Sequence, residues 1–144
     1  MWTCEHAVTT NATPSQVWAR YADPQTWPEW DAATERVTLY GPFAVGSRGT
    51  LKAVGGPTTR FTLTEVVPEV GFTNVARLPL ARLVFRHQIE ATATGSRLTH
   101  IATINGPLSL LLGRVIGTSL ARDLPAAMNA LARLAAGLPV APPR

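Results

Sequence analysis

The stretch PLSLLLGRVIGTSLARDLPAAMNALARLAA, residues 107–136, decides the fold. Leu108, Leu112, Ile116, Leu120, Leu124, Met128, Leu131 and Ala135 recur at helical spacing, while Arg114, Thr118, Arg122, Asn129 and Arg133 lie mainly off that stripe. The pattern predicts one long amphipathic helix that ends at Gly137, a residue suited to the cap. Pro125 removes the bond to the Ala121 carbonyl, so a kink is expected there. The Gly113 and Gly117 spacing would let a strand or another helix approach closely, so the oligomeric state is expected to be monomer or homodimer.

Everything upstream of the helix has a different period. Residues 2–10 alternate Trp2, Cys4, His6 and Val8 against Thr3, Glu5, Ala7 and Thr9, which is strand period. Thr13, Pro14 and Gln16 then place an N-cap, a first helical position and a capping-box partner, so a short helix should run to about Tyr21. Pro24–Trp30, carrying Trp27 and Trp30 around Pro28, predicts a second short helical turn. Residues 34–106 read as six strands, cut at Gly41-Pro42, Gly55-Gly56-Pro57, Pro68-Glu69, Leu78-Pro79 and Thr94-Gly95. The expected class is α+β: a curved antiparallel sheet of about seven strands wrapped around the long C-terminal helix, with two short helices after strand 1. Residues 1–137 make a single domain, and 138–144 a proline-rich tail.

Strand parity sorts residues to faces. On 81–93 the odd positions, including Leu83, Phe85, His87 and Ile89, form the buried face, whereas Arg82 and Arg86 point out. Taking Thr94-Gly95 as a two-residue turn pairs Ile89 with His100 and His87 with Ala102, leaving the two histidines diagonal neighbours. Walking outward turns in Phe72 and Asn74, then Phe61, Leu63 and Glu65, then Gly49, Leu51 and Ala53, unless a bulge inverts the parity. His6 joins the set if the even face of the first strand is inward.

Composition narrows the classes. Charged residues are 15% and hydrophobic ones 46%, which stocks a substantial core. The net charge of +4 comes from twelve scattered arginines and Lys52, without the concentrated patch that phosphate tracking needs, so no nucleic acid is expected. A single cysteine, Cys4, excludes an internal disulfide. Neither a signal peptide nor a spanning helix is visible, so no stable membrane insertion and a cytoplasmic location are expected. No phosphate loop, Ser-His-Asp order or glycine-rich nucleotide fingerprint is present, and no cofactor is expected.

Taken in order, several motifs carry a resemblance. They are Ala12-Thr13-Pro14-Ser15-Gln16-Val17-Trp18, Asp23-Pro24…Trp27-Pro28-Glu29-Trp30-Asp31, Gly46-Ser47-Arg48-Gly49, Thr64-Glu65-Val66-Val67-Pro68 and Arg122-Asp123-Leu124-Pro125. With them the chain resembles the START-like, birch-pollen-allergen-like helix-grip superfamily (the SRPBCC group), and within it bacterial polyketide cyclase/dehydrase proteins. The resemblance implies an apolar cavity between sheet and helix that binds lipids, polyketides, quinones or hormones. It carries over no catalytic motif.

Two functions follow as expectations. The first is binding of a small hydrophobic molecule, whether aromatic, lipid-like or polyketide-like. Phe61, Leu63, Phe72, Phe85, Ile89, Ala102, Leu112, Ile116 and Leu120 would hold it, with His87, His100 and Asn74 fixing its orientation, Glu65 as a further polar member and Trp27 and Trp30 at the mouth. The second is a cyclase, aromatase or dehydratase, in which His87 or His100 transfers a proton near neutral pH. His6, His87 and His100 match no metal-ligand spacing, so no metal is expected.

Overall fold

A computed structural model describes residues 1–140. Seven antiparallel strands form one sheet in the order β1-β7-β6-β5-β4-β3-β2. They are β1 (Trp2–Thr10), β2 (Thr34–Tyr40), β3 (Arg48–Ala53), β4 (Thr58–Val67), β5 (Gly71–Leu78), β6 (Ala81–Ala91) and β7 (Ser96–Asn105). Between β1 and β2 lie α1 (Pro14–Tyr21) and a 3-10 helix (Pro24–Glu29). Thr13 caps α1 reciprocally: its Oγ1 accepts from the Gln16 N–H, and Gln16 Oε1 accepts from the Thr13 N–H. The expected element order is therefore the observed one, and the sheet grips a C-terminal helix. Of the expected tail, residues 141–144 lie outside the described residues.

The C-terminal helix is continuous but not uniform. It consists of α2 (Ser109–Leu112), a π turn (Gly113–Gly117) and α3 (Thr118–Ala135). The run continues through Pro125, and the departure from α geometry lies upstream, at the two glycines. There the strand-side approach anticipated for Gly113 and Gly117 is made by the Trp2 ring of β1. A Cβ on Gly113 would stand 2.6 Å from Trp2, and one on Gly117 2.5 Å. The far end closes on Gly137 at φ +79, with the Gly137 and Leu138 N–H groups donating to the Leu134 and Arg133 carbonyls.

The apolar stripe is buried unequally along this helix. Leu124, Met128, Leu131 and Ala135 are buried in the core, where α3 packs on α1 and β1. Leu108, Leu112, Ile116 and Leu120 are only half-buried.

The β6–β7 register differs from expectation by two residues. His87 faces His100, Phe85 faces Ala102, and Ile89 faces Leu98, joined by a four-residue loop over 92–95. Thr92 N–H donates to the Gly95 carbonyl, and Gly95 is pressed against Thr10 and Asn11. That tertiary contact overrides the tight two-residue turn. A slip of two leaves every side chain on its expected face, but it makes the two histidines directly opposed rather than diagonal.

The Trp2 contact sets a test. Gly117→Ala puts a methyl into the indole, a clash that costs roughly 1–3 kcal/mol, offset by about 1 kcal/mol of helix propensity. Chemical denaturation should show a net loss of up to about 2 kcal/mol in the native background. In a Trp2→Ala background the same change should become neutral or stabilising. An equal loss in both backgrounds contradicts the contact.

Candidate functional site

Strand register brings one row of side chains across the concave face. His6 on β1 pairs with His100 on β7, His100 with His87 on β6, and His87 with Phe72 on β5. All three histidines therefore share one row. The His87 and His100 rings are 4.5 Å apart, centre to centre. His87 is sandwiched: its ring stacks on Phe72 at 3.9 Å and on Phe85 at 4.7 Å, both nearly parallel. Its Nδ1 lies 3.4 Å from the Phe72 carbonyl.

Tyr21, the last residue of α1, reaches into this row. Its hydroxyl lies 2.6 Å from His100 Nε2, with both groups fully buried. That hydroxyl has no other acceptor among the described residues, so the tyrosine O–H donates and His100 Nε2 accepts as a neutral imidazole. Burial pulls the His100 pKa down to about 3, with the nearby His6 adding to the effect. Burial, then the neighbouring His100, also pulls His87 well below the ordinary histidine range. Burial pushes the Tyr21 phenol up, so this hydroxyl keeps its proton. Tyr21, His87 and His100 together therefore make an uncharged hydrogen-bonding surface at neutral pH.

Above it sits a cavity of about 220 Å³. Its floor is Asn74, Phe85, His87 and His100, and one wall is Trp27 and Trp30. The roof is Ile116, Leu120, Leu124 and Ala127 of the C-terminal helix. Asp31, Ala33, Leu51, Ser119 and Asp123 complete the lining, with Ala33 and Ser119 exposed at the edge. Trp27 is held by its own N–H donating to the Tyr21 carbonyl, and it stacks on Phe61 and Phe72. Asp31 accepts from the Ala33 N–H and the Thr34 hydroxyl, and burial raises its pKa. Two lining side chains carry a buried polar atom without a partner among the described residues: Trp30 Nε1 and Asn74 Oδ1.

The expected ligand residues divide into three sets. Trp27, Trp30, Asn74, Phe85, His87, His100, Ile116 and Leu120 line this cavity. Phe61, Leu63, Phe72, Ile89 and Ala102 are on the inner face but packed into the core behind it, while Leu112 is half-buried on the helix. Glu65 is a correction. The ladder shifts between Leu63 and Glu65, so Glu65 opposes Thr73 and stands exposed on the outer face, and Val66 takes the inward place opposite Phe72. A larger concavity of about 380 Å³ lies on that outer face, between Glu65, Arg86, Gln88 and Glu90. These four side chains are exposed, so the charges of Glu65, Arg86 and Glu90 are already solvated.

Sequence reasoning missed Tyr21, Asp31 and Asp123. Val17 and Tyr21 are the buried pair of α1, one turn apart, and that spacing was the available signal for Tyr21. Among the described residues no group of three or more His, Cys, Asp or Glu is arranged to hold a metal. No described helix is long and apolar enough to cross a membrane.

A protein-family profile described as "Polyketide cyclase / dehydrase and lipid transport" matches residues 1–136. The chain belongs to this family. No curated protein matches it. Protein MLL2253 from Mesorhizobium loti superimposes with a TM-score of 0.74 at 20% identity, covering 92% of this chain and 96% of that one. Ara h 8.0201 gives 0.75 at 13% identity, covering 94% and 98%. The di-domain ARO/CYC StfQ from the steffimycin biosynthetic pathway gives 0.72 at 16%, covering 92% of this chain and 50% of that one. At these identities the likeness is one of fold, and the fold is the helix grip.

The Tyr21–His100 bond predicts a mutant series. Tyr21→Phe strands a buried imidazole nitrogen and should cost about 1–3 kcal/mol. Tyr21→Phe with His100→Leu removes both partners and should cost less than the two single changes added.

The pH dependence has a definite sign. The unfolded chain protonates His100 near the ordinary value of 6.5, and the folded chain only near 3. Stability is then full above about pH 6.5 and falls as pH drops toward 3. Removing His100 should flatten that slope by about 1.4 kcal/mol per pH unit between pH 4 and 6, read from denaturation midpoints. An unchanged slope contradicts a neutral buried His100.

Proposed function

We propose that this chain binds a small hydrophobic molecule of one or two rings in the cavity between the sheet and the C-terminal helix. The observation that carries the reading is the coverage of that helix. Met128, Leu131 and Ala135 toward its C-terminal end are sealed into the core, while Ile116 and Leu120 remain half-buried over an aromatic-walled space. Aromatic walls give large contact area to a flat ligand.

Size supports the choice between the two expected functions. An apolar cavity of about 150 Å³ holds benzene, whereas drug-sized pockets run from about 300 to 1,000 Å³. A volume of about 220 Å³ suits a ring compound and is too small for an extended poly-keto chain folded for cyclisation. The electrostatics support the same choice. Proton transfer near pH 7 favours a group that titrates there, and burial holds His87 and His100 well below. We assign them to ligand orientation as neutral donors and acceptors. Membership of a cyclase, dehydrase and lipid-transport family accommodates a binding role of this kind.

Isothermal titration with indole tests the proposal. The native chain should bind one equivalent, and Leu120→Trp, which fills the roof side of the cavity, should abolish binding without lowering the melting temperature. Absence of binding to the native chain, or equal binding by the filled variant, overturns it.

A further inference from the structure

Apolar side chains gather on the surface at one end of the sheet, where Leu78 pairs with Ala81 and Arg82 with Asn105. There the Pro79-Leu80 turn between β5 and β6 meets the start of the C-terminal helix, and the Leu80 carbonyl accepts from the Leu108 N–H at 3.3 Å. Around that junction Leu80, Leu110, Leu111 and Val115 are 68%, 70%, 56% and 64% exposed. None of the four lines the cavity, and on the same helix it is Gly113 and Gly117 that meet Trp2. A single exposed leucine is ordinary, but four apolar side chains at one junction make a patch, and such patches mark interaction surfaces.

Two features of this end work against the stability of the fold. Leu80 has φ +51, in the left-handed region that favours glycine or asparagine, and its exposed side chain gains no burial. Arg77 and Arg82 stand directly opposite each other on β5 and β6, and like charges so placed destabilise a sheet. Both are exposed, as is Arg114 beside Val115, and none of the three forms an ion pair among the described residues. No Asp or Glu occurs between Glu69 and Glu90, or between Glu90 and Asp123, so the turn and the helix start supply positive charge only. Backbone strain held at an exposed position points to a role outside folding.

We infer that this end of the molecule docks on an anionic lipid surface. Leu80, Leu110, Leu111 and Val115 enter the acyl boundary, and Arg77, Arg82 and Arg114 meet the headgroup phosphates. A second copy of the chain fits the face poorly, because a two-fold contact would bring the arginines of one copy toward those of the other. Protein interfaces favour Trp and Tyr at their centre, whereas every apolar member here is aliphatic. The contact is peripheral, since no described helix is long and apolar enough to cross a membrane. Docking of this kind requires no ligand in the cavity, although the cavity roof begins at Ile116, the residue after Val115.

Co-sedimentation tests it, with vesicles of phosphatidylcholine alone and of phosphatidylcholine carrying about one-third phosphatidylserine. The native chain should bind the anionic vesicles about tenfold or more tighter than the neutral ones, and added salt should weaken that binding. Arg82→Gln with Arg114→Gln should weaken it by about twentyfold. Arg48→Gln with Arg97→Gln removes the same charge at the opposite end of the sheet and should leave binding within about threefold of native. Leu110→Glu with Leu111→Glu should abolish binding while the melting temperature stays native; if that variant does not fold, the two arginine pairs decide. Absence of binding to anionic vesicles, equal binding to neutral ones, or an equal loss in the two arginine pairs overturns docking. So does a dimer of the native chain that Leu110→Glu with Leu111→Glu dissolves, which would make the face a contact between copies. Vesicle binding by a chain that fails to bind indole would leave docking standing and remove only the ligand-binding role.

Discussion

Seven strands present one concave apolar face, and a single helix must cover it. Apolar surface left to water costs roughly 25 cal/mol per Å², so the sheet bends around the helix and α1 and the 3-10 helix fill part of the gap. Trp27, stacked on Phe61 and Phe72, does much of that filling. Coverage is complete along the C-terminal turns of α3, where Met128 and Leu131 reach zero exposure. It stops short of Ile116 and Leu120, and the space beneath them is the cavity. The π turn belongs to the same geometry. Gly113 and Gly117 let the Trp2 indole lie flush on the helix, which fixes its height above β1.

A cavity floor built from histidines brings a second constraint, because buried polar groups need partners. Here the answer is neutrality. His87 lies between two phenyl rings, and His100 accepts from Tyr21. The Tyr21 hydroxyl, at the end of α1, thereby ties the short-helix segment to the middle of β7. That bond and the indole N–H of Trp27 on the Tyr21 carbonyl converge on one residue. Tyr21 thus couples the wall of the cavity to its floor.

Much of the fold was legible because its signals are periodic. The stripe from Leu108 to Ala135, the alternation in β6 and the Thr13–Gln16 box all depend on local spacing. Faces survived even where register did not: the 92–95 loop moved His100 two residues along β6 without turning it outward. Glu65 shows the opposite case. One irregularity after Leu63 reverses the face of all that follows, and sequence alternation alone does not locate it. Tyr21, Asp31 and Asp123 escaped for another reason. Their roles depend on elements far apart in the chain meeting over the sheet, and the spacing around each residue records only that Tyr21 is on a buried face.

The central claim is an uncharged histidine floor that meets the ligand. Nitrogen-15 spectra of the imidazole rings, recorded near pH 5.5 with and without saturating indole, test it most directly. The account predicts neutral His87 and His100, the latter with its proton on Nδ1, and shifts in both rings when the ligand is added. Imidazolium signals from these two residues at that pH, or rings indifferent to a bound ligand, would contradict it.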